Sequence, residues 1–142
     1  MPTTTAAITI TNDIGSSTTS ISKTMTLTKA ASATLGMDTL LSVSKVLSAV
    51  NQVDLVAAAS AGSTTHNFLY INNPSTNPAE FFTLVLGDDP QGASTDSVDE
   101  ELGRLYGGDW MMVPWGAADT SSDIMIAPSV ATDMTVEFMV FS

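Results

Sequence analysis

The only histidine, His66, is the first residue to test for chemistry, because Ser or Thr nucleophiles usually require a nearby base. His66 stands directly before the apolar run Asn67–Ile71. The chain has no Gly-x-Ser-x-Gly elbow. A single histidine without any cysteine also leaves too few ligands for a zinc site. We therefore expect His66 to be a structural or surface residue, and we expect no metal site and no cofactor.

Acidic residues are dense between Asp88 and Glu101, where six of the 14 residues are Asp or Glu. Such a cluster is compatible with a hard-cation site or with a glycosidase carboxylate pair. The spacing does not fit the Asp-x-Asp-x-Asp-Gly calcium loop, and Gln91–Thr95 is typical of a mobile loop. A solvated acidic loop is the favoured interpretation, and cation binding is the alternative.

Glycines and one arginine form the run Gly103–Gly108, which superficially looks like a nucleotide-binding fingerprint. The order of the glycines is wrong and no helix is predicted to follow them. Arg104 is expected to pair with Glu100, Glu101 or Asp109. No catalytic residues are predicted, and we do not expect an enzyme.

Large aromatic and sulfur-containing side chains are concentrated within ten residues. Core packing is one explanation, and an assembly surface is another, since Trp, Tyr and Met are enriched at interfaces. A third is stacking of a carbohydrate on Trp110 or Trp115. The predicted candidate interface comprises Tyr106, Trp110, Met111, Met112 and Trp115.

The charge of the chain is low in amount and uneven in position. Charged residues make up 13% of the 142 residues, against about 25% in a typical soluble domain, and 37 residues are Ser or Thr. Residues 1–54 are neutral overall, so residues 55–142 carry the whole net charge of −11. Binding to nucleic acid needs clustered Lys and Arg, and binding to an anionic membrane needs the same clusters. We expect neither nucleic acid nor membrane as a partner.

The N-terminus lacks a basic region and an apolar stretch, so no signal peptide is predicted. The longest wholly apolar run is Leu55–Ala59, far shorter than the ~20 residues of a membrane-spanning helix. We expect a protein that is made in the cytoplasm and not processed.

The elements that would position these residues are mainly strands. Residues 6–11, 21–28 and 135–141 alternate between larger and smaller side chains, as half-buried strands do. Residues 67–71 and 110–113 are apolar on both faces, and Met139 and Phe141 make the last strand partly so. Shorter strands are predicted over 81–86, 102–106 and 124–126. Gly107-Gly108 is predicted to close a hairpin.

Residues 46–61 fit either a helix or two strands joined by a turn at Asn51-Gln52. Strands are favoured, because Val is abundant and helix caps are missing. About eight short strands predict an all-β fold. We expect a single-domain antiparallel β-sandwich or a jelly-roll-like barrel over residues 8–142, with an extended N-terminal arm at residues 1–7.

Three segments of the chain resemble small virion structural proteins of tailed bacteriophages, including cyanophages. These segments are residues 72–81 (NNPSTNPAEF), 102–110 (LGRLYGGDW) and 127–134 (APSVATDM). The resemblance covers about residues 65–142. It implies a structural role, either as a capsid decoration or cement protein or as a component of the tail or fibre that binds a receptor or carbohydrate.

In its small size and low content of Lys and Arg, the chain is most similar to a decoration protein. The resemblance then implies a virion location, contacts with the major capsid protein or other virion proteins, and self-association, with a homotrimer as the expected state. The loop from Asp88 to Glu101 would face solvent, and the neutral N-terminal third would face the shell.

Overall fold

The computed structural model describes residues 3–12, 19–29, 32, 34–61, 66–87, 100–118 and 122–142. Within these ranges the chain forms β-strands and one short 3₁₀ helix, Ala58–Ser60, and no α-helix. The all-β class predicted from alternation is therefore confirmed. The strands are β1 (Thr4–Asn12), β2 (Thr19–Leu27), β3 (Leu40–Leu47), β4 (Val53–Val56), β5 (Asn67–Asn72), β6 (Phe81–Gly87), β7 (Glu100–Tyr106), β8 (Trp110–Trp115), β9 (Asp123–Pro128) and β10 (Met134–Phe141).

The contacts divide the chain into two compact units, residues 1–38 and residues 39–142. We call them the hairpin unit and the sandwich unit. The expected boundary after residue 7 lies elsewhere, because residues 4–7 belong to β1 and pair with β2, from Thr4 opposite Leu27 to Ala7 opposite Thr24. The expected arm is thus the start of a hairpin, and the sandwich begins at residue 39 instead of residue 8.

The hairpin unit is a two-stranded antiparallel ribbon, in which all nine residues of β1 pair with β2. A second turn follows, where Thr28 bridges to Gly36 and the Lys29 amide donates to the Leu35 carbonyl. Leu27 and Met37 are the only buried residues among those described in this unit. The half-buried strands predicted for residues 6–11 and 21–28 are strands, but most of their side chains are exposed.

The sandwich unit is built from four nested strand pairs: β3 with β10, β4 with β9, β5 with β8, and β6 with β7. Two further pairings, β10 with β5 and β6 with β9, join these into two four-stranded sheets. The sheet orders are β3-β10-β5-β8 and β4-β9-β6-β7. A long antiparallel hairpin rolled onto itself has this nesting, which is the jelly-roll order. The sheets form an open sandwich, so the closed-barrel alternative is wrong.

The core lies between the two sheets and draws on both. Alternate residues of β10, among them Val136, Phe138 and Val140, are buried, as are Leu69 on β5 and Ile126 on β9. Successive side chains of a strand point to opposite faces, so these positions define the inner face of each sheet. Burying a large apolar side chain of this kind stabilises the fold by about 1.5–3 kcal/mol.

Residues 46–61 contain the end of β3, a bend at residues 49–51, β4 and the short 3₁₀ helix. The favoured strand interpretation is confirmed, and the helical alternative is wrong. The edge strand β3 carries an inward charge, since Lys45 lies opposite the buried Val136. Its Nζ donates to the main-chain carbonyl of Asp54 over 2.7 Å and so links β3 to β4 in the other sheet. An inward charge of this kind also discourages pairing of an edge strand with another chain.

The predicted hairpin at Gly107-Gly108 is wrong, because β7 and β8 belong to different sheets. The glycines form a tight turn between the sheets, closed by the Asp109 amide donating to the Tyr106 carbonyl over 2.8 Å. Of these two glycines only Gly108 has a positive φ, of 87°, which fits a type II turn and not the primed turns of two-residue hairpins. A Cβ on Gly107 would collide with the main-chain carbonyl of Asn77. The turn therefore needs both glycines, for two different reasons.

Candidate assembly surface

The outer face of the β3-β10-β5-β8 sheet carries an unusual number of apolar side chains. Since Val136, Phe138 and Val140 of β10 point into the core, the residues between them point outward. The strand register extends each of these outward positions across the sheet. Three rows cross β10, β5 and β8 in this way: Phe141, Phe68 and Pro114; Met139, Tyr70 and Met112; and Glu137, Asn72 and Trp110.

Aromatic rings and methionines make up much of this outer face. The rings of Tyr70 and Trp110 lie 6.1 Å apart at an interplanar angle of 34°. Trp110 is 52% exposed and Met139 is 37% exposed, while Leu40 extends the apolar surface onto β3. His66 packs edge-on against Phe68, with 5.1 Å between ring centroids. A contiguous apolar patch of this kind on a sheet surface marks an interaction site.

Charge is nearly absent from the outer face. Glu137 is the only charged residue among the outward positions of the four strands, since Lys45 of β3 points inward, and Glu137 Oε2 accepts a hydrogen bond from Asn72 Nδ2 over 2.9 Å. The chain as a whole carries a net charge of −11. The face therefore combines the two compositional signs of an interface core, enrichment in aromatic and Met side chains and depletion of charge.

The five residues of the predicted interface do not form one surface. Trp110 and Met112 lie on the outer face, whereas Met111 and Trp115 point inward from the same strand, because neighbouring strand residues face opposite ways. Trp115 is only 5% exposed, and its Nε1 donates to the Ser122 carbonyl over 2.7 Å. The idea that a sugar stacks on Trp115 is therefore wrong.

Tyr106, the fifth predicted residue, lies on β7 in the other sheet, beyond the glycine turn. Its ring packs against Phe81 at 5.2 Å, and the Arg104 guanidinium lies 4.7 Å above that same Phe81 ring. Arg104 also approaches Glu101, one of its expected partners, with Nε 3.8 Å from Oε1. Tyr106 and Arg104 thus form a separate surface cluster around Phe81.

The sequence prediction missed Tyr70, Met139 and Phe141 as residues of the outer face, and it missed Phe68, which lies in the same rows but is only 8% exposed. The signal was present, because β5, β8 and β10 are the strands that read as apolar on both faces. The sequence does not show that β10, β5 and β8 are neighbours in one sheet. This order places their outward apolar faces side by side.

The loop after β5, which carries part of the phage-like pattern, is held by the buried side chain of Asn73. Its Nδ2 donates to the Leu105 carbonyl over 3.1 Å, and its Oδ1 accepts from the Ser75 amide over 3.2 Å. The Asn73 main chain bonds to Gly108 and Asp109 of the glycine turn. Glu80 accepts from Ser75 Oγ over 2.6 Å and from Asn77 Nδ2 over 3.2 Å. These residues join the loop to the glycine turn and have a structural role.

Two carboxylates of the described residues, Asp123 and Glu80, also have structural hydrogen-bond partners. Asp123 Oδ1 accepts a hydrogen bond of 2.6 Å from the Ala58 amide at the start of the 3₁₀ helix. A surface cavity beside Met134 contains Glu80 and Asp133, but both Glu80 oxygens accept hydrogen bonds from the loop. No group of three or more potential metal ligands occurs within the described ranges. Residues 88–99 of the expected acidic loop lie outside those ranges.

Within the part of the chain that the structure describes, no helix is long and apolar enough to cross a membrane. No protein-family model matches the chain, and no curated protein or solved structure matches it either. The jelly-roll sandwich and its apolar, charge-poor outer face are therefore the features of the molecule that bear on its function.

Proposed function

We propose that this protein is a structural component of a phage virion, a decoration protein that stabilises the head through subunit contacts. The observation that carries the proposal is the outer face of the β3-β10-β5-β8 sheet, which is aromatic, rich in Met and almost without charge. A strongly acidic chain that keeps one face apolar is suited to bind other proteins there while the rest of its surface stays solvated.

Two further features support this role. The jelly-roll order recurs in capsid and lectin domains, which is a likeness of fold. The phage-like segments around Asn73 and Gly107 coincide with the hydrogen-bonded junction between the β5–β6 loop and the β7–β8 turn. The pattern behind the resemblance therefore encodes architecture, as expected of a structural protein.

Copy number in purified particles that carry this chain tests the proposal most directly. Gel densitometry should show a copy number comparable with that of the major capsid protein. A handful of copies per particle would support a tail or fibre location, and absence from the particles would contradict a virion role.

Self-association through the outer face is the second test. We propose a homotrimer, as at a three-fold position of a shell, so light scattering should give about three times the monomer mass of 14.8 kDa. Met139→Asp should weaken this association about tenfold or more, because it places a charge in the middle of the apolar face. Tyr106→Asp, a change at an exposed position of the other sheet, is the matched control. A strict monomer at all concentrations, with and without capsids, would contradict the proposal.

The second candidate function is carbohydrate binding at a tail or fibre tip. The Tyr70–Trp110 pair favours it, because the half-buried Tyr70 ring lies beside the exposed Trp110 ring and aromatic rings of this kind offer a stacking surface for a sugar. Glycan-array binding that is lost in Trp110→Ala and kept in Tyr106→Ala would support this function. Absence of binding to any glycan would leave the decoration role.

A further inference from the structure

The β1–β2 hairpin has two chemically different faces. Directly opposed residues of an antiparallel pair share a face, so the register sorts every side chain of the ribbon. One face consists of hydroxyl residues and Ala7, with pairs such as Thr9–Ser22, Thr11–Ser20 and Thr5–Thr26. The other, which we call the apolar face of the hairpin, is formed by Ala6, Ile8, Ile10, Ile21, Lys23 and Met25, with Thr4 and the buried Leu27 at one end.

Away from the buried Leu27, the apolar face of the hairpin is exposed in the single chain. Ile10 and Ile21, which oppose each other, are 56% and 52% exposed, and Ile8 and Met25 are exposed as well. A two-stranded ribbon is at best marginally stable in water unless something packs against it. The ribbon therefore needs an apolar surface to cover this face.

We infer that the apolar face of the hairpin of one copy docks on the outer face of the β3-β10-β5-β8 sheet of a second copy. This inference rests on the proposed assembly role and names the partner in that assembly. Both surfaces are apolar, and both are exposed in the single chain, as Ile10 and Trp110 illustrate.

Charge complementarity supports this pairing. Lys23 is the only charged residue on the apolar face of the hairpin, where it lies opposite Ile8. Glu137 is the only charged residue on the outer face of the sheet. Each otherwise uncharged surface thus carries one charge, and the two charges have opposite sign.

The dimensions of the two surfaces also agree. The nine-residue strands of the hairpin span ~30 Å at about 3.4 Å per residue, and the eight residues of β10 span ~27 Å. Two strands at a spacing of ~5 Å give a footprint of about 300 Å² per side, or about 600 Å² in total, against the 1,200–2,000 Å² of a stable interface.

A single hairpin contact is therefore too small to hold two copies together. Each copy has one hairpin and one outer face, so reciprocal exchange in a dimer or head-to-tail contact in a closed ring makes several such contacts at once. A ring of three is the arrangement that agrees with the proposed trimer.

Charge reversal in the full-length chain tests the pairing of Lys23 with Glu137. Lys23→Glu alone and Glu137→Lys alone should each raise the dissociation constant of self-association about three- to tenfold at low ionic strength, because like charges then meet. The double variant Lys23→Glu with Glu137→Lys in one chain should restore association, since every hairpin–sheet contact of a dimer or of a ring again joins opposite charges. No effect of either single reversal, or no recovery in the double variant, would overturn the inference.

Cysteine cross-linking tests the geometry, and the chain has no native cysteine to interfere. An Ile21→Cys chain mixed with a differently tagged Met139→Cys chain should form a disulfide-linked heterodimer under mild oxidation. Thr24→Cys, on the hydroxyl face of the hairpin, is the matched control and should not cross-link to Met139→Cys. A chain that carries both Ile21→Cys and Met139→Cys and closes only within itself would show that the hairpin covers its own sheet, which overturns the inference.

The outcomes separate this inference from the proposed function. If the wild-type protein associates and Met139→Asp weakens it, while the hairpin variants have no effect, the assembly role stands and the hairpin is not the occupant. Ile10→Asp and Thr11→Asp provide a further check that does not depend on Lys23. Only Ile10→Asp should raise the dissociation constant tenfold or more, because Thr11 lies on the hydroxyl face.

Discussion

Strands β2 and β10 both alternate apolar with other residues, but the alternating apolar side chains of β10 are buried and most of those of β2 are exposed. In β2, Ile21, Lys23, Met25 and Leu27 alternate with Ser and Thr, and Ile21 is 52% exposed. In β10, every second residue from Met134 to Val140 is apolar, and all of them are buried. The difference is that a second sheet covers the inner face of β10, whereas β2 belongs to a two-stranded ribbon. Alternation determines which side chains share a face, and burial of that face depends on a second layer.

The largest expected contrast between the two regions is the cost of truncating an apolar side chain. Phe138→Ala should lower the free energy of unfolding by about 3–5 kcal/mol, because it leaves a cavity between the sheets. Ile21→Ala should change it by less than about 0.5 kcal/mol in dilute protein, as at an ordinary surface position. Urea unfolding of each variant measures the difference. Equal costs at low protein concentration would mean that the hairpin face is covered within one copy.

A second contrast concerns side chains that bond to the main chain of a turn. Asn73→Ala should destabilise the sandwich unit by about 1–3 kcal/mol, since the Leu105 carbonyl and the Ser75 amide lose a partner in a largely buried site. Ser32→Ala removes two comparable exposed bonds, to the amides of Thr34 and Leu35. It should cost less than about 0.5 kcal/mol, because water replaces the hydroxyl. Thermal unfolding midpoints compare the two variants, and a larger loss for Ser32→Ala would contradict this account.

The smallest expected effect is that of the ion pair in the hairpin unit. Lys29 Nζ lies 2.6 Å from Asp38 Oδ1, but both side chains are more than 40% exposed. Lys29→Gln should weaken this unit by less than about 1 kcal/mol, and the loss should shrink in high salt. The Lys29 amide donates a hydrogen bond to the Leu35 carbonyl, so its hydrogen-exchange rate measures the local stability of this unit. A loss that is large or independent of salt would show that this end of the hairpin unit is more tightly held than its exposure suggests.

The positions of most strands were predictable because alternation and turn residues are local. Residues 67–71, 81–86 and 124–126 all lie within observed strands, and strands were rightly favoured for residues 46–61. The pairing at Gly107-Gly108 was not predictable, because a Gly-Gly turn can connect strands of one sheet or of two. The role of Asn73 was missed for a related reason, since its partners Leu105 and Gly108 lie more than 30 residues away.

For the candidate surface too, some features follow from the sequence alone and others only from the tertiary structure. The sequence alone determined that the strands over residues 67–71, 110–113 and 135–141 carry apolar side chains on both faces, because the period of two is a property of each strand. It also determined that the chain is acidic and poor in Lys and Arg, which disfavours nucleic acid as a partner. Tertiary structure decided that these three strands are neighbours, that Trp115 is core while Trp110 is surface, and that residues 4–12 form a ribbon with an exposed apolar face. Strand order and layering arise from contacts between residues distant in the chain, and these contacts leave no periodic signal in the sequence.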